Sequence, residues 1–233
     1  MGKLQTVLFD LDGTVTDSAG IVAAAMQGMY LAQTGRELPV ESFYKYLGPP
    51  LEWSFQDLGA KAEQVQTWID EYRSRYLKKM PLTPLFPGIK ELLAQLQELG
   101  LTLGVATSKN TKYAIEVCEY TDVRQYFAEV FGASEDGRIS AKDEVVGSAL
   151  AGFAATGRLA PAAEAPIDAA GYREDVVMIG DRIHDILGAR KHQIRTILVG
   201  WGKAPDTERA QAWQIAQSPA ELFAMLRRLA PVK

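Results

Sequence analysis

Hydrophobic positions fall into two patterns along this chain. The first apolar run, Thr6-Val7-Leu8-Phe9, shows no polar alternation, which predicts a strand buried on both faces of a parallel sheet. It stops on Asp10-Leu11-Asp12-Gly13-Thr14, where glycine favours a turn. Asp17 or Ser18 can then cap a helix in which Ile21, Val22, Ala25, Met26, Met29 and Tyr30 recur at helical spacing. Pro39 opens a short helix, and Gly48-Pro49-Pro50 interrupts the chain before Leu51–Phe55. Residues 61–78 form an amphipathic helix with an aromatic stripe at Trp68, Tyr72 and Tyr76, read as core packing. No strand is predicted between 17 and 80.

Pro81–Gly88, with three prolines, reads as a linker, after which helix and strand alternate. Predicted helices lie over Ile89–Leu99, closed by Gly100, then about 111–120, from Lys142 through Leu150, from Gly180-Asp181 on to about Lys191, and over Leu222–Leu229. Predicted strands lie over Leu101–Ala106, Glu129–Gly132, Val176–Ile179 and Ile194–Val199. The alternation implies an α/β protein: a Rossmann-like parallel sheet with helices on both faces, plus a small all-helical cap domain. The expected core domain covers 1–16 and 81–233, and the helical domain 17–80. Ala-, Gly- and Pro-rich residues 151–171 are expected to be a surface elaboration.

Composition narrows the partners. At 47% hydrophobic, 23% charged and a net charge of −4 with dispersed Lys and Arg, the chain offers no electrostatic footprint for nucleic acid. The single cysteine, Cys118, excludes an intrachain disulfide or a cysteine metal cluster, and its helical spacing with Ala114, Ile115 and Val117 marks a buried thiol. No apolar run reaches the length of a membrane span and the N-terminus shows no signal-peptide pattern, so the expectation is a cytoplasmic protein without a membrane partner.

Four signals fall at strand ends or helix starts of one sheet: Asp10-x-Asp12-Gly13-Thr14; Thr107 with Ser108 and Lys109; Lys142; and Gly180-Asp181-x-x-x-Asp185. Carboxylates without His or Cys partners suit a hard, oxygen-liganded cation such as Mg²⁺. A cation beside a lysine and a hydroxyl receives a phosphoryl group well, and a carboxylate can accept that group covalently. No catalytic role is assigned to His184 or His192.

These motifs, in this order over nearly the whole chain, resemble those of the haloacid dehalogenase superfamily. The resemblance implies Asp10 as nucleophile and metal ligand, and Asp12 as general acid then base that also binds metal through its backbone carbonyl. It further implies phosphoryl binding by Asp12, Gly13, Thr107, Ser108 and Lys142, with Lys142 also restraining the charge of Asp10. Asp181 is the implied acidic metal ligand and Asp185 its support. Residues 17–80 fall where the family carries a mobile cap.

Asp12 two positions after the nucleophile is similar to the phosphotransferase branch and unlike the dehalogenases. Gly180-Asp181-Arg182-x-His184-Asp185-Ile186-x-Gly188-Ala189, Lys142-x-Glu144-Val145-Val146 and Leu47-Gly48-Pro49-Pro50-Leu51 resemble the phosphoglycolate phosphatase and 5′-nucleotidase-like subgroup. The implied activity is Mg²⁺-dependent hydrolysis of a small phosphorylated metabolite through an aspartyl phosphate, by a monomer or homodimer. The alternative is a phosphosugar mutase of the β-phosphoglucomutase type. Such mutases use cap histidine and lysine residues to shield the intermediate, and residues 17–80 contain no histidine. A non-catalytic regulator would be expected to carry a damaged motif, and all four are intact. Lys45, Tyr46, the Gly48-Pro49-Pro50 turn and Trp201 are the candidates for contacting the rest of the substrate.

Overall fold

The computed structural model describes residues 3–231; residues 1–2 and 232–233, the extremities of the expected core domain, lie outside the described residues. In chain order the regular elements are β1 (Thr6–Phe9), α1 (Ala19–Thr34), α2 (Leu51–Asp57), α3 (Val65–Lys79), α4 (Ile89–Glu98), β2 (Thr102–Asn110), α5 (Thr111–Tyr120), β3 (Glu129–Ala133), α6 (Lys142–Ala155), β4 (Val176–Gly180), α7 (Ile183–Arg190), β5 (Arg195–Val199), α8 (Asp206–Arg209), β6 (Gln214–Ala216) and α9 (Pro219–Leu229). Short 3₁₀ turns join several of them. The chain divides into two compact units, Met1–Thr16 with Leu85–Lys233, and Asp17–Pro84.

In the larger unit six parallel strands are ordered β3-β2-β1-β4-β5-β6. The apolar runs are the central strands: β1 is buried throughout, with Leu8 level with Gly104 on one side and Met178 on the other. Leu8, Ala106 and Met178 join Val145, Val146, Ala149 and Phe153 of α6 in one core layer. Gly104 makes that layer possible, since a Cβ there would lie 2.6 Å from the Phe153 ring. On the other face Phe9 meets Phe127 edge-on, with ring centroids 6.1 Å apart.

The sequence pattern omits β6 and α8. With three residues, β6 is too short to show a period, and it exists because Leu198 and Val199 of β5 offer it a ladder. Asn110, not Ala106, ends β2. Residues 151–171 are an ordered excursion. Leu159 packs on the core, and the buried Arg173 guanidinium donates to both Asp175 oxygens, at 2.9 and 2.8 Å, and to the Ala160 carbonyl.

The helical unit has an aromatic core, as the stripe on α3 predicts. Trp68 meets Tyr30 and Phe55, and Tyr72 meets Phe55 and Tyr76. Ser18 occupies the N-cap position of α1, but its side chain accepts no capping hydrogen bond from the backbone. Tyr46, picked from the sequence as a substrate contact, is a buried residue whose hydroxyl donates to Asp57 at 2.7 Å. Lys45 is exposed and pairs with the same carboxylate at 3.0 Å. Among the described residues no helix is long and apolar enough to cross a membrane.

Candidate active site

Because β1 lies between β2 and β4, the residues that end these three strands are neighbours at the carboxyl edge of the sheet. The strand order reverses there, which is where open α/β sheets bind ligands. Asp10 follows β1 and remains in the sheet, its N–H donating to the Ile179 carbonyl at 2.8 Å. The chain then turns tightly, Val15 and Thr16 both donating to the Leu11 carbonyl at 3.0 and 2.9 Å. Gly13 is required here twice over. Its φ is +86°, and a Cβ would lie 2.3 Å from the Asp181 carboxylate.

Lys142, the first residue of α6, is the hub. Its ammonium donates to Asp10 Oδ1 at 2.6 Å and to the Ala106 carbonyl at 3.0 Å, and it pairs with Asp185 Oδ1 at 2.8 Å. The first two contacts are hydrogen bonds and the third is an ion pair, in which Asp185 Oδ1 accepts no hydrogen bond among the described residues. Gly188 on α7 leaves room for the lysine stem, where a Cβ would come within 2.6 Å of Lys142 Cγ. Asp185 turns its second oxygen to the backbone N–H groups of Asp181 and Arg182, at 3.1 and 3.0 Å, which satisfies the start of α7.

One buried ammonium faces three buried carboxylates, and the imbalance appears in their acidities. Burial, opposed by Lys142 and reinforced by Asp185, raises Asp10 from the ordinary 3.8 to about 6. Burial and the nearby Asp185 and Asp10 charges push Asp181 well above the usual carboxylate range. Burial works against the charge on Lys142, but Asp10 and Asp185 outweigh it and hold its pKa above the usual lysine value. Oxygens of Asp10, Asp181 and Asp185 lie within 4.8 Å of one another. All-oxygen donors carrying excess negative charge fit a hard divalent cation.

The Asp12 side chain points elsewhere, its Oδ2 lying 2.8 Å from Lys109 Nζ. Thr107 is buried at the same end of β2 and Ser108 is exposed beside it. The loop after β5 closes on the acidic cluster, with Lys203 N–H 3.5 Å from Asp181 Oδ2. Trp201, a second sequence candidate for substrate contact, gives its indole N–H to the Thr14 carbonyl at 3.0 Å and packs on Phe86, so it ties that loop to the turn after β1. His192 is engaged with the Asp143 carbonyl at 2.8 Å.

A sequence profile of haloacid dehalogenase-like hydrolases matches residues 7–199, from the first strand through β5. The chain belongs to this family. It is 37% identical over 201 residues to tyrosine-protein kinase PtkA of Mycobacterium tuberculosis, covering 85% of this chain but only 62% of that protein's length. It is 32% identical over 228 residues to a 5′-nucleotidase of Pseudomonas aeruginosa, covering 96% of this chain and 94% of the relative. The structure of a predicted phosphatase from Clostridium acetobutylicum superposes with a TM-score of 0.83 at 31% identity, over 97% of this chain and 99% of the other.

Within this haloacid dehalogenase-like fold, two elements of the site escape sequence reasoning. Lys109 stands in the second motif without a role, although its i, i+2 spacing from Thr107 could have drawn notice. Glu208 on α8 binds Arg182 at 3.0 and 3.1 Å and the Ile183 N–H at 2.8 Å, clamping the loop that carries Asp181. Nothing in the local sequence marks it.

Proposed function

We propose that the protein is a Mg²⁺-dependent phosphatase that hydrolyses a small phosphomonoester, of phosphoglycolate or nucleotide type, through an aspartyl phosphate on Asp10. One observation carries the reading. Asp10 is held by a buried lysine beside an all-carboxylate cluster, while a second carboxylate two residues later is held apart from that cluster. The first arrangement suits a nucleophile and the second a proton carrier.

Asp10, Asp181 and the Asp12 backbone carbonyl would hold the metal, with Asp185 supporting them. When bound, the metal supplies charge stabilisation at the phosphoryl oxygens. An oxygen of Asp10 attacks phosphorus as the ester P–O bond breaks, and Asp12 protonates the departing oxygen. Water then attacks the aspartyl phosphate while Asp12 takes up its proton, which frees inorganic phosphate and restores Asp10. Lys142, Thr107, Ser108 and the backbone at Asp12 and Gly13 bind the phosphoryl oxygens. Choice among phosphoesters is assigned to the helical unit, residues 17–84, which lies outside this set.

The test is phosphate release with Mg²⁺ from phosphoglycolate, mononucleotides, hexose phosphates and pyrophosphate, beside Asp10→Asn. Release from one class, abolished by Asp10→Asn and by chelator, is expected. Isomerised sugar phosphate without net phosphate release would establish a mutase instead. Phosphotyrosine formed from ATP, with the whole panel silent, would make the chain a kinase.

A further inference from the structure

We propose that Lys109 is a positioning residue for proton transfer: it grips one oxygen of Asp12 and so dedicates the other to the departing group. The proposal rests on the phosphatase reading above. Lys109 Nζ lies 2.8 Å from Asp12 Oδ2, with the lysine side chain only 10% exposed. An ammonium has hydrogens to give and no lone pair to receive one, so the oxygen it touches must act as acceptor. With Oδ2 gripped, Oδ1 is the oxygen left for exchange with the departing group.

The surroundings of Oδ1 agree. The Thr16 hydroxyl oxygen is 3.4 Å from Asp12 Oδ1 and 3.2 Å from the Leu11 carbonyl. The Thr16 hydroxyl donates toward both of these oxygens, so each Asp12 carboxyl oxygen has a defined neighbour, Lys109 at Oδ2 and Thr16 at Oδ1.

Lys109 reaches this place through an irregularity in the sheet. Ala106 pairs with Phe131 and Asn110 with Ala133, so β2 carries two more residues than β3 over this interval. Such insertions re-aim side chains beside sites. Gly132 admits the displaced backbone, since a Cβ there would lie 2.4 Å from the Lys109 carbonyl oxygen.

During phosphoryl transfer the Asp10 oxygen–phosphorus bond forms and the ester P–O bond breaks. The proton on Asp12 Oδ1 passes to the departing oxygen. The alcohol leaves neutral, and Asp12 remains as a carboxylate paired with Lys109.

The test compares kcat/KM, which reads steps up to phosphoenzyme formation, for an alkyl phosphate and for dinitrophenyl phosphate. Dinitrophenolate departs without a proton, so only the alkyl ester needs a well-placed acid. Lys109→Met is expected to lower kcat/KM for the alkyl ester by about 10- to 100-fold, against less than about threefold for the dinitrophenyl ester. Asp12→Asn should show the same selectivity, adding Lys109→Met to it should deepen the selectivity no further, and Lys109→Arg should recover part of the loss. Lys109→Gln provides the same comparison should the methionine variant fold poorly. Equal losses on both esters, or none on either, in an enzyme whose wild type hydrolyses both would overturn the role of Lys109 alone. A wild type inert on both esters would overturn the phosphatase reading and this proposal with it.

Discussion

Lys142→Met is the substitution that most directly probes the charge balance of the site. Methionine keeps the apolar stem that packs against Gly188 but removes the ammonium that pairs with Asp10 and Asp185 beside Asp181. With both partners buried, the loss leaves unpaired carboxylates in a dry pocket, and breaking such a pair costs about 3–5 kcal/mol. Asp10 sits near 6 even with the lysine in place, because burial outweighs the attraction. Without Lys142 its pKa rises further. A folded-state value raised above the unfolded one favours folding at low pH, and that contribution disappears as pH rises through the folded pKa. The penalty of the substitution should therefore be largest above pH 7 and smaller near pH 5, where Asp10 is protonated in both proteins. Each additional unit of rise is worth about 1.4 kcal/mol. Urea unfolding in EDTA at pH 7.5 and 5.0 reads both quantities. We expect a loss of about 3–5 kcal/mol at pH 7.5, reduced by at least about 1 kcal/mol at pH 5.0. Adding Asp10→Asn should restore part of the loss. A penalty below about 1 kcal/mol, or one that does not change with pH, would show that the cluster is solvated and that Lys142 is not its counter-charge.

Two other expectations follow from close approaches and burial. Gly13→Ala forces a side chain into a left-handed backbone, at roughly 1–2 kcal/mol, and drives its Cβ into Asp181; calorimetric titration should show Mg²⁺ binding weakened at least about tenfold, and unchanged binding would mean that the turn yields instead. Burial pushes the Cys118 thiol up to about 12, so at pH 8 the native protein should resist iodoacetamide and react promptly only in denaturant, as followed by mass spectrometry.

The readings that come straight from the sequence depend on short stretches of chain. An unbroken apolar run ending in Asp-x-Asp-Gly declares a buried strand and its terminal acids together, because burial sets the first pattern and the turn sets the second. The aromatic stripe on α3 could be read as core for the same reason: helical period fixes which side chains share a face. Short elements that exist only because a neighbour offers them a partner have no such local record. Gln214–Ala216 is a strand because β5 lies beside it, and its own three residues contain no repeat.

The same distinction separates the legible part of the site from the illegible part. Asp10, Asp12, Asp181 and Asp185 lie at strand ends and a helix start, so topology alone gathers them. Their assignment as acids that share a charge problem needs distances, since the partners of Lys142 come from residues 10, 106 and 185. Lys109 and Glu208 are harder still. A lysine near a strand end and a glutamate in a short surface helix are ordinary solvated residues in any local window. Each acquires its place only through the fold, Lys109 through the slipped register of β2 on β3 and Glu208 through the return of α8 to the start of α7. Residues that the topology itself gathers, at strand ends and helix starts, are the ones that sequence exposes. Residues that hold those in place can be supplied from any element that passes nearby, which is why they surface only when the chain is folded.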